Sequence, residues 1–245
     1  MESRYVKKID LELLKTIESN SVDLVLTDPP YIISKKSGMQ SYRDSIENGG
    51  EVNEKYGKKF AVTTEFGEWD SSYTIDDLKH SIDEFYRILR PGGSCIIFFD
   101  LWKIETLKGL LSKFSKHRLI EWIKTNPMPI NQYSTYLSNA REISISCVKG
   151  GKATFNSKYD KGIYEYPIYN GKDRFHPTQK SLPLFEELIT KHSNEGDIVV
   201  DPYAGSGTTA LAAKNTNRIF ICGEPDEDYF KKGHKRVFKN LTMSE

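Results

Sequence analysis

An acid, two prolines and an aromatic follow a short apolar run: Val22-Asp23-Leu24-Val25-Leu26 leads into Thr27-Asp28-Pro29-Pro30-Tyr31. Proline fixes φ and has no N–H, so Pro29 and Pro30 end the strand that the apolar run predicts and stiffen the backbone behind it. The Asp28 carboxylate and the Tyr31 ring are thereby held in fixed relation, and the Asp28 and Pro29 carbonyls are open to accept hydrogen bonds. Acceptors beside an aromatic face suit a flat ligand that carries an NH2 group.

A second constellation lies far along the chain. The apolar run 197–201 enters Asp201-Pro202-Tyr203-Ala204-Gly205-Ser206-Gly207-Thr208-Thr209-Ala210, a glycine turn that opens a helix. This fits the G-x-G-x-x-A nucleoside-binding pattern, in which glycines permit a tight turn and close approach of backbone to ligand. The next predicted strand ends in Glu224, a carboxylate suited to both hydroxyls of a ribose. No lysine follows the glycines as a triphosphate loop requires, so a nucleoside cofactor without a triphosphate fits best.

The elements that position these groups alternate. Apolar runs predict strands at 4–9, 22–26, 94–99, 118–124, 142–148, 197–201 and 218–222, and helical spacing predicts helices at 11–17, 74–89, 101–114, 182–192, 207–215 and 226–239. Pro91-Gly92-Gly93 reads as the turn between a helix and a central strand. Alternation of this kind predicts an α/β fold with a doubly wound, mostly parallel, seven-stranded sheet of Rossmann-like type. Both constellations then fall at the carboxyl edge of the strands, where open α/β sheets bind ligands.

With 245 residues, the chain suits one large domain, here 1–245, carrying an inserted loop at 32–70 whose glycines and polar residues show little periodicity. Lysine and arginine number 35 against 34 acids, so any nucleic-acid partner must be held by local patches. Cys95, Cys147 and Cys222 sit in apolar runs without metal-ligand spacing, and read as buried thiols of a reduced, cytoplasmic protein that holds no metal. No stretch has the length and apolarity of a membrane span.

Taken together, Asp28-Pro29-Pro30-Tyr31 and the 201–209 turn resemble the amino methyltransferases of DNA that use S-adenosyl-L-methionine. The order, with the Asp-Pro-Pro-Tyr motif before the glycine turn, is similar to their circularly permuted beta group. Further likeness lies in Phe66-Gly67-Glu68-Trp69-Asp70, in Trp122-Ile123-Lys124-Thr125-Asn126-Pro127-Met128-Pro129, and in His176-Pro177-Thr178-Gln179-Lys180. These segments look like the small adenine-N6 enzymes of type IIS restriction-modification systems. The resemblance implies a site-specific methyl transfer to N6 of an adenine flipped out of double-stranded DNA.

In that reading Asp28 and the Pro29 carbonyl accept the two N–H bonds of the adenine amine and draw its nitrogen toward tetrahedral geometry. Tyr31 stacks on the flipped ring. Phe66 and Trp69 either share in that stacking or pin their loop to the core. The resemblance places Asp10 at the cofactor's adenine amino group, although Asp10 also reads as a helix N-cap. It places Lys180 near the methionine carboxylate, where the plain alternative is a solvated helix-end charge. Asp201, Tyr203 and Gly205 surround the methionine part, Glu224 takes the ribose, and Asp28, Ala204, Ser206, Gly207, Thr208 and Pro225 complete the cofactor contacts that the resemblance implies.

Recognition of DNA falls in the family between the two motifs, here in the short interval 149–175. From residue 149 to 180 there are seven lysines and arginines against three acids, interleaved with aromatics, as phosphate contact and base stacking require. Asn126, Lys152, Lys158, Arg174 and His176 are the expected contacts, with Lys35, Lys36, Arg43, Lys55, Lys58 and Lys59 of the inserted loop as further candidates. A homodimer and a cognate restriction endonuclease are also implied by the resemblance. Two other readings stand beside this one. Cytosine-N4 methylation usually has serine in place of Asp28, and a nicotinamide-dependent oxidoreductase would leave residues 28–31 unexplained.

Overall fold

A computed structural model describes residues 2–30, 73–127, 137–176 and 178–239. The chain divides into two compact units, Met1–Pro29 with Asp76–Glu245, and Pro30–Ile75. The inserted loop expected at 32–70, with Tyr31, Phe66 and Trp69, lies outside the described residues, as do Met128, Pro129 and Pro177.

In chain order the elements are β1 (Arg4–Val6), α1 (Asp10–Leu14), β2 (Val22–Thr27), α2 (Ile75–Ile88), β3 (Leu89–Phe99), a 3-10 turn (Leu101–Lys103), α3 (Ile104–Leu110), β4 (Ser115–Lys124), β5 (Arg141–Val148), β6 (Ile163–Tyr166), α4 (Leu182–His192), β7 (Ile198–Asp201), α5 (Thr208–Asn215), β8 (Ile219–Gly223) and α6 (Glu227–Phe238). The strands form one sheet in the order β1-β8-β7-β2-β3-β5-β4-β6. All pairings are parallel except those of β5, which runs antiparallel to both β3 and β4.

Among the described residues the sheet has eight strands rather than the seven expected. The addition, β6, is four residues long, with only Tyr164 buried, and it takes its register from β4 through Trp122 opposite Tyr164. Trp122 Nε1 donates to the Tyr166 carbonyl at 2.8 Å, so a buried ring locks this edge strand in place. Pro91-Gly92-Gly93, expected as a turn, lies inside β3. The register with β2 jumps there, from Val22 opposite Leu89 to Leu24 opposite Ser94, as a bulge requires. Gly92 sits at φ +85°, and a Cβ there would collide with the Lys152 carbonyl, so glycine is needed at this bulge.

The sheet is buried on both faces. Leu24, Leu26, Ile96, Phe98, Ile120, Trp122, Val199, Phe220 and Cys222 pack with Leu184, Phe185, Leu188 and Ile189 of α4, Ala210, Ala212 and Ala213 of α5, and Val237 of α6. The alternate positions Val25, Cys95, Ile97, Val200 and Ile221 point the other way and are equally buried. Helix α2 repeats apolar residues at Leu78, Ile82 and Phe85 with acids in its first turn, and Arg87 near its end donates to the carbonyls of Leu14, the last residue of α1, and of Ile17 beyond it. Helix α6 starts where the Asp226 carboxylate accepts from the Asp228 and Tyr229 N–H groups, at 2.9 Å each. The three cysteines are free and buried, and no group of metal-ligating side chains occurs among the described residues.

Candidate active site at the carboxyl edge

Strands β2 and β7 are parallel neighbours, with Leu24 opposite Val199 and Val25 opposite Val200, so Asp28 and Asp201 emerge side by side at one edge. A single residue ties them. The buried Asp201 carboxylate accepts from Thr27 Oγ1 at 2.6 Å and the Tyr203 N–H at 3.1 Å through one oxygen, and from Thr209 Oγ1 at 2.5 Å through the other. The residue before Asp28 is thus fixed to the first residue of the glycine turn and to the first turn of α5. Burial pushes the Asp201 carboxyl above its ordinary range, against the pull of these three donors.

Glycine is required at both turn positions. Gly205 has φ +50° and Gly207 φ +75°. A Cβ on Gly205 would lie 3.1 Å from His176 Nε2, and one on Gly207 3.0 Å from Val237 Cγ2. The turn is shaped by bonds on every side. Ala204 N–H donates to the Gly223 carbonyl at 2.9 Å, Gly205 N–H to Glu224 Oε2 at 2.9 Å, and Tyr5 Oη to the Gly205 carbonyl at 3.0 Å. Ser206 and Thr208 turn their hydroxyls toward each other, and Arg236 of α6 donates to the Ser206 carbonyl and to Thr208 Oγ1 at 3.0 Å each. Both side chains therefore build the turn.

Glu224 is almost fully buried, and its second oxygen accepts from the Asp226 N–H at 2.9 Å. Burial pushes its carboxyl up to about 7, because two N–H donors compensate only part of the lost hydration. The folded chain therefore holds this proton more tightly than the unfolded chain does. The resulting stability is complete below the unfolded value and is lost as pH rises through about 7. Glu224→Gln is expected to flatten the fall in unfolding free energy between pH 5 and pH 8, on the order of 3 kcal/mol in the wild type, as measured by urea denaturation. An unchanged pH slope in the variant would show that other groups carry it.

The buried Asp10 and Ser81 form a second cluster with the half-buried Tyr203. Ser81 Oγ and Tyr203 Oη each donate to Asp10 Oδ2 at 2.5 Å, and Tyr203 Oη lies 2.9 Å from Ser81 Oγ. Asp10 opens α1, but Ile9 occupies the N-cap position and no side chain caps the helix. The helix-capping alternative thus gives way to a carboxylate turned inward, with further acceptor capacity for an amino group.

On the other side of Asp28 stands Lys180, buried, with Nζ 2.9 Å from Asp28 Oδ2 and 2.6 Å from Glu142 Oε2. Lys124 Nζ lies 2.8 Å from Glu142 Oε1. Burial works to raise the Glu142 carboxyl, but Lys180 and Lys124 outweigh it and hold the group below its usual value. The expected alternative of a solvated lysine at 180 does not hold, since the ammonium sits between two carboxylates.

Other expected residues are placed differently from one another. Asn126 uses its amide as a backbone bridge, accepting from the Ile168 N–H at 2.6 Å and donating to the Ile168 carbonyl at 3.2 Å, which prolongs the β4–β6 pairing. His176 packs on the glycine turn and against the Tyr229 ring at 4.4 Å. Burial, then the charges of Lys180 and Arg174, lower it to about 4, so it is neutral at pH 7 and has no cation to offer a phosphate. Arg174 Nε donates to the His176 carbonyl at 3.3 Å. Lys152 and Lys158 are exposed, Pro29 and Ala204 are buried, Pro225 is half-buried beside Glu224, and Pro30 belongs to the second unit. Thr27, Glu142, Lys124, Ser81, Tyr5 and Arg236 lie outside the expected site residues. Of these Thr27, directly before Asp28, and Lys124, inside the Trp122–Pro129 likeness, carry a signal in the sequence.

The donor and acceptor set fits a nucleoside cofactor. Glu224 offers a carboxylate to a ribose diol, Asp10 an acceptor to an amino group, and Gly205 and Gly207 a turn without side chains of their own. Comparison with known proteins agrees. The model of the DNA methylase family N6_N4_Mtase matches residues 22–235. The type II methyltransferase M2.LlaDCHI of Lactococcus lactis subsp. cremoris is 28% identical, over 94% of this chain and 87% of its own. The crystal structure of M1.HpyAVI with SAM is 28% identical with a TM-score of 0.66, over 95% of this chain and 98% of that one. The cytosine-N4-specific PvuII DNA methyltransferase shares the fold, with a TM-score of 0.69 at 17% identity over 100% of this chain and 89% of its own.

Proposed function

The chain belongs to the DNA methylase family, and from that premise we propose that it transfers a methyl group from S-adenosyl-L-methionine to the exocyclic N6 of adenine in double-stranded DNA. The observation that carries the reading is the carboxylate of Asp28 held at the end of β2 next to the cofactor turn at the end of β7. Family membership removes the nicotinamide-dependent oxidoreductase. Asp28, in place of the serine usual for cytosine-N4 enzymes, favours adenine.

When bound, S-adenosylmethionine supplies an electrophilic methyl on a sulfonium sulfur. Gly205, Tyr203 and Asp201 would hold its methionine part, Glu224 its ribose and Asp10 its adenine amino group. The amine of adenine is a poor nucleophile because its lone pair is delocalised into the ring. Asp28 and the Pro29 carbonyl, by accepting its N–H bonds, favour the tetrahedral nitrogen and stabilise the positive charge that develops there. The carboxylate of Asp28 then takes the released proton or passes it to water. The base must leave its stack first, at a cost of a few kcal/mol that aromatic contact offsets, which is the role we assign to Tyr31.

Glu224 gives this reading a pH signature. Ribose hydroxyls donate to the ionised carboxylate, so cofactor affinity is expected to weaken about tenfold from pH 8 to pH 6, following the group near 7. Titration calorimetry at both values measures it, and a pH-independent affinity would remove Glu224 from the ribose.

The function itself is tested by incubating the chain with methyl-labelled cofactor and duplex DNA, then separating the nucleosides. N6-methyladenine is the expected product, and N4-methylcytosine alone would transfer the reading to the other base. The proposal also takes in Lys152, Lys158 and Arg174 as phosphate contacts, action on DNA inside the cell, a homodimer and a cognate restriction endonuclease. No helix among the described residues is long and apolar enough to cross a membrane.

A further inference from the structure

Asp28 does not face its substrate with one charge alone. Strands β2 and β5 are separated by β3, so their ends stand about 10 Å apart, two strand spacings. Lys180 spans that gap, its Nζ 5.4 Å from the centre of the Phe98 ring on β3, with Asp28 on one side and Glu142 on the other. Glu142 reaches this edge because β5 runs antiparallel, which brings its first residues to the carboxyl ends of the other strands. Lys124, at the end of β4, closes the row. The four side chains alternate in sign, and each is at most one-fifth exposed, so screening by water is weak.

We propose that Glu142 is a positioning residue for the methyl transfer, which draws the Lys180 ammonium off Asp28 so that the catalytic carboxylate keeps its negative field. The inference rests on the amine-methylation reading above. As the amine attacks, positive charge moves onto its nitrogen, and the field there must be negative to favour it. Asp28 with Lys180 alone is a neutral pair. Glu142 restores one net negative charge to the group, and Lys124 offsets that charge from farther away. The sign of each substitution follows. Removing the charge of Glu142 leaves the row net positive and opposes the developing cation, whereas removing that of Lys124 leaves it net negative. His176, a further titratable group beside Lys180 among the described residues, is neutral at pH 7 and does not alter this balance.

Single-turnover transfer of labelled methyl to duplex DNA, with cofactor affinity measured in parallel, tests the inference. Glu142→Gln is expected to slow transfer about 10- to 100-fold with cofactor affinity changed less than about twofold. Glu142→Asp, which keeps the charge, should recover most of the rate. Lys124→Met should transfer faster than the wild type, and Glu142→Gln should cost less in the Lys180→Met background than in the wild type. A residue that merely supported the scaffold would give losses of the same sign at 142 and 124, and additive effects with 180. Either pattern, or a Glu142→Gln rate within about twofold of wild type, overturns the proposal. Lys124→Met decides alone if Glu142→Gln does not fold, a rate above the wild type supporting and a rate at or below it refuting. A wild-type chain inert on DNA sinks the functional reading instead. A chain that loses activity with Asp28→Ala but not with Glu142→Gln sinks only this inference.

Discussion

Methyl transfer by the Asp28→Ala variant is expected to fall by at least about 10²- to 10³-fold in kcat, with cofactor affinity kept within about threefold. The size follows from what the carboxylate does. It acts on charge that appears only as the carbon–nitrogen bond forms, so its loss raises the barrier without weakening ground-state binding. The fold should tolerate the change, because Lys180 retains Glu142 at 2.6 Å and is not left as an uncompensated buried charge. Asp28→Asn, similar in shape but neutral, should lose nearly as much. Rapid-quench transfer of labelled methyl gives the rate and calorimetry the affinity. Transfer by Asp28→Ala at more than about a tenth of the wild-type rate would exclude the carboxylate as the acceptor that governs the step.

The largest stability effect is expected at Asp201. Asp201→Ala removes the acceptor of three buried donors, Thr27 Oγ1, Thr209 Oγ1 and the Tyr203 N–H. Each donor left without a partner costs about 1–3 kcal/mol, so the variant should lose about 3–5 kcal/mol after the raised cost of burying the carboxylate is recovered. Against a total of about 5–15 kcal/mol, that loss brings the chain close to unfolding. Thr27→Val keeps shape and removes one donor. It should cost only about 1 kcal/mol, yet lower kcat by loosening the residue next to Asp28. Urea denaturation measures both, and an Asp201→Ala midpoint within error of wild type would show that the bonds contribute nothing net.

Strong local patterns were read from the residues alone. Helix α4 occupies the 182–192 span that its apolar spacing predicts, and the strand, turn and helix around Gly205 fall within a residue of expectation. Such segments carry their own instruction, an apolar run or a helical stripe closed by turn chemistry. Strand β6 carries none, being four residues on an edge with one buried side chain, and its place is set by Trp122 forty-two residues earlier. The same holds at the site. Asp28, Gly205 and Glu224 announce themselves through neighbours in sequence, while Glu142 and Lys124 gain meaning only when the reversed direction of β5 brings them to Lys180. Asn126 and His176 show the converse. The Trp122–Pro129 likeness suggests DNA contact for Asn126, and a basic, aromatic stretch suggests it for His176, whereas hydrogen bonds tie Asn126 to Ile168 and packing sets His176 on the glycine turn.

The sheet order β1-β8-β7-β2 sets the timetable of synthesis. The strands nearest the amino terminus are not neighbours, because the two strands closest to the carboxyl terminus lie between them. A ribosome that has made β1 and β2 has made the flanks of a gap that stays open for about 170 further residues, since the Thr27–Asp201 bond spans 174 positions. Half of the sheet therefore waits for the end of the chain. Until then the edge of β2 that will receive β7 is unpaired and apolar, exposed to mispairing and dependent on late closure rather than on folding from the amino terminus onward. Asp28 is made with β2 long before the glycine turn that follows β7, so a partly made chain lacking β7 carries only one half of the candidate site.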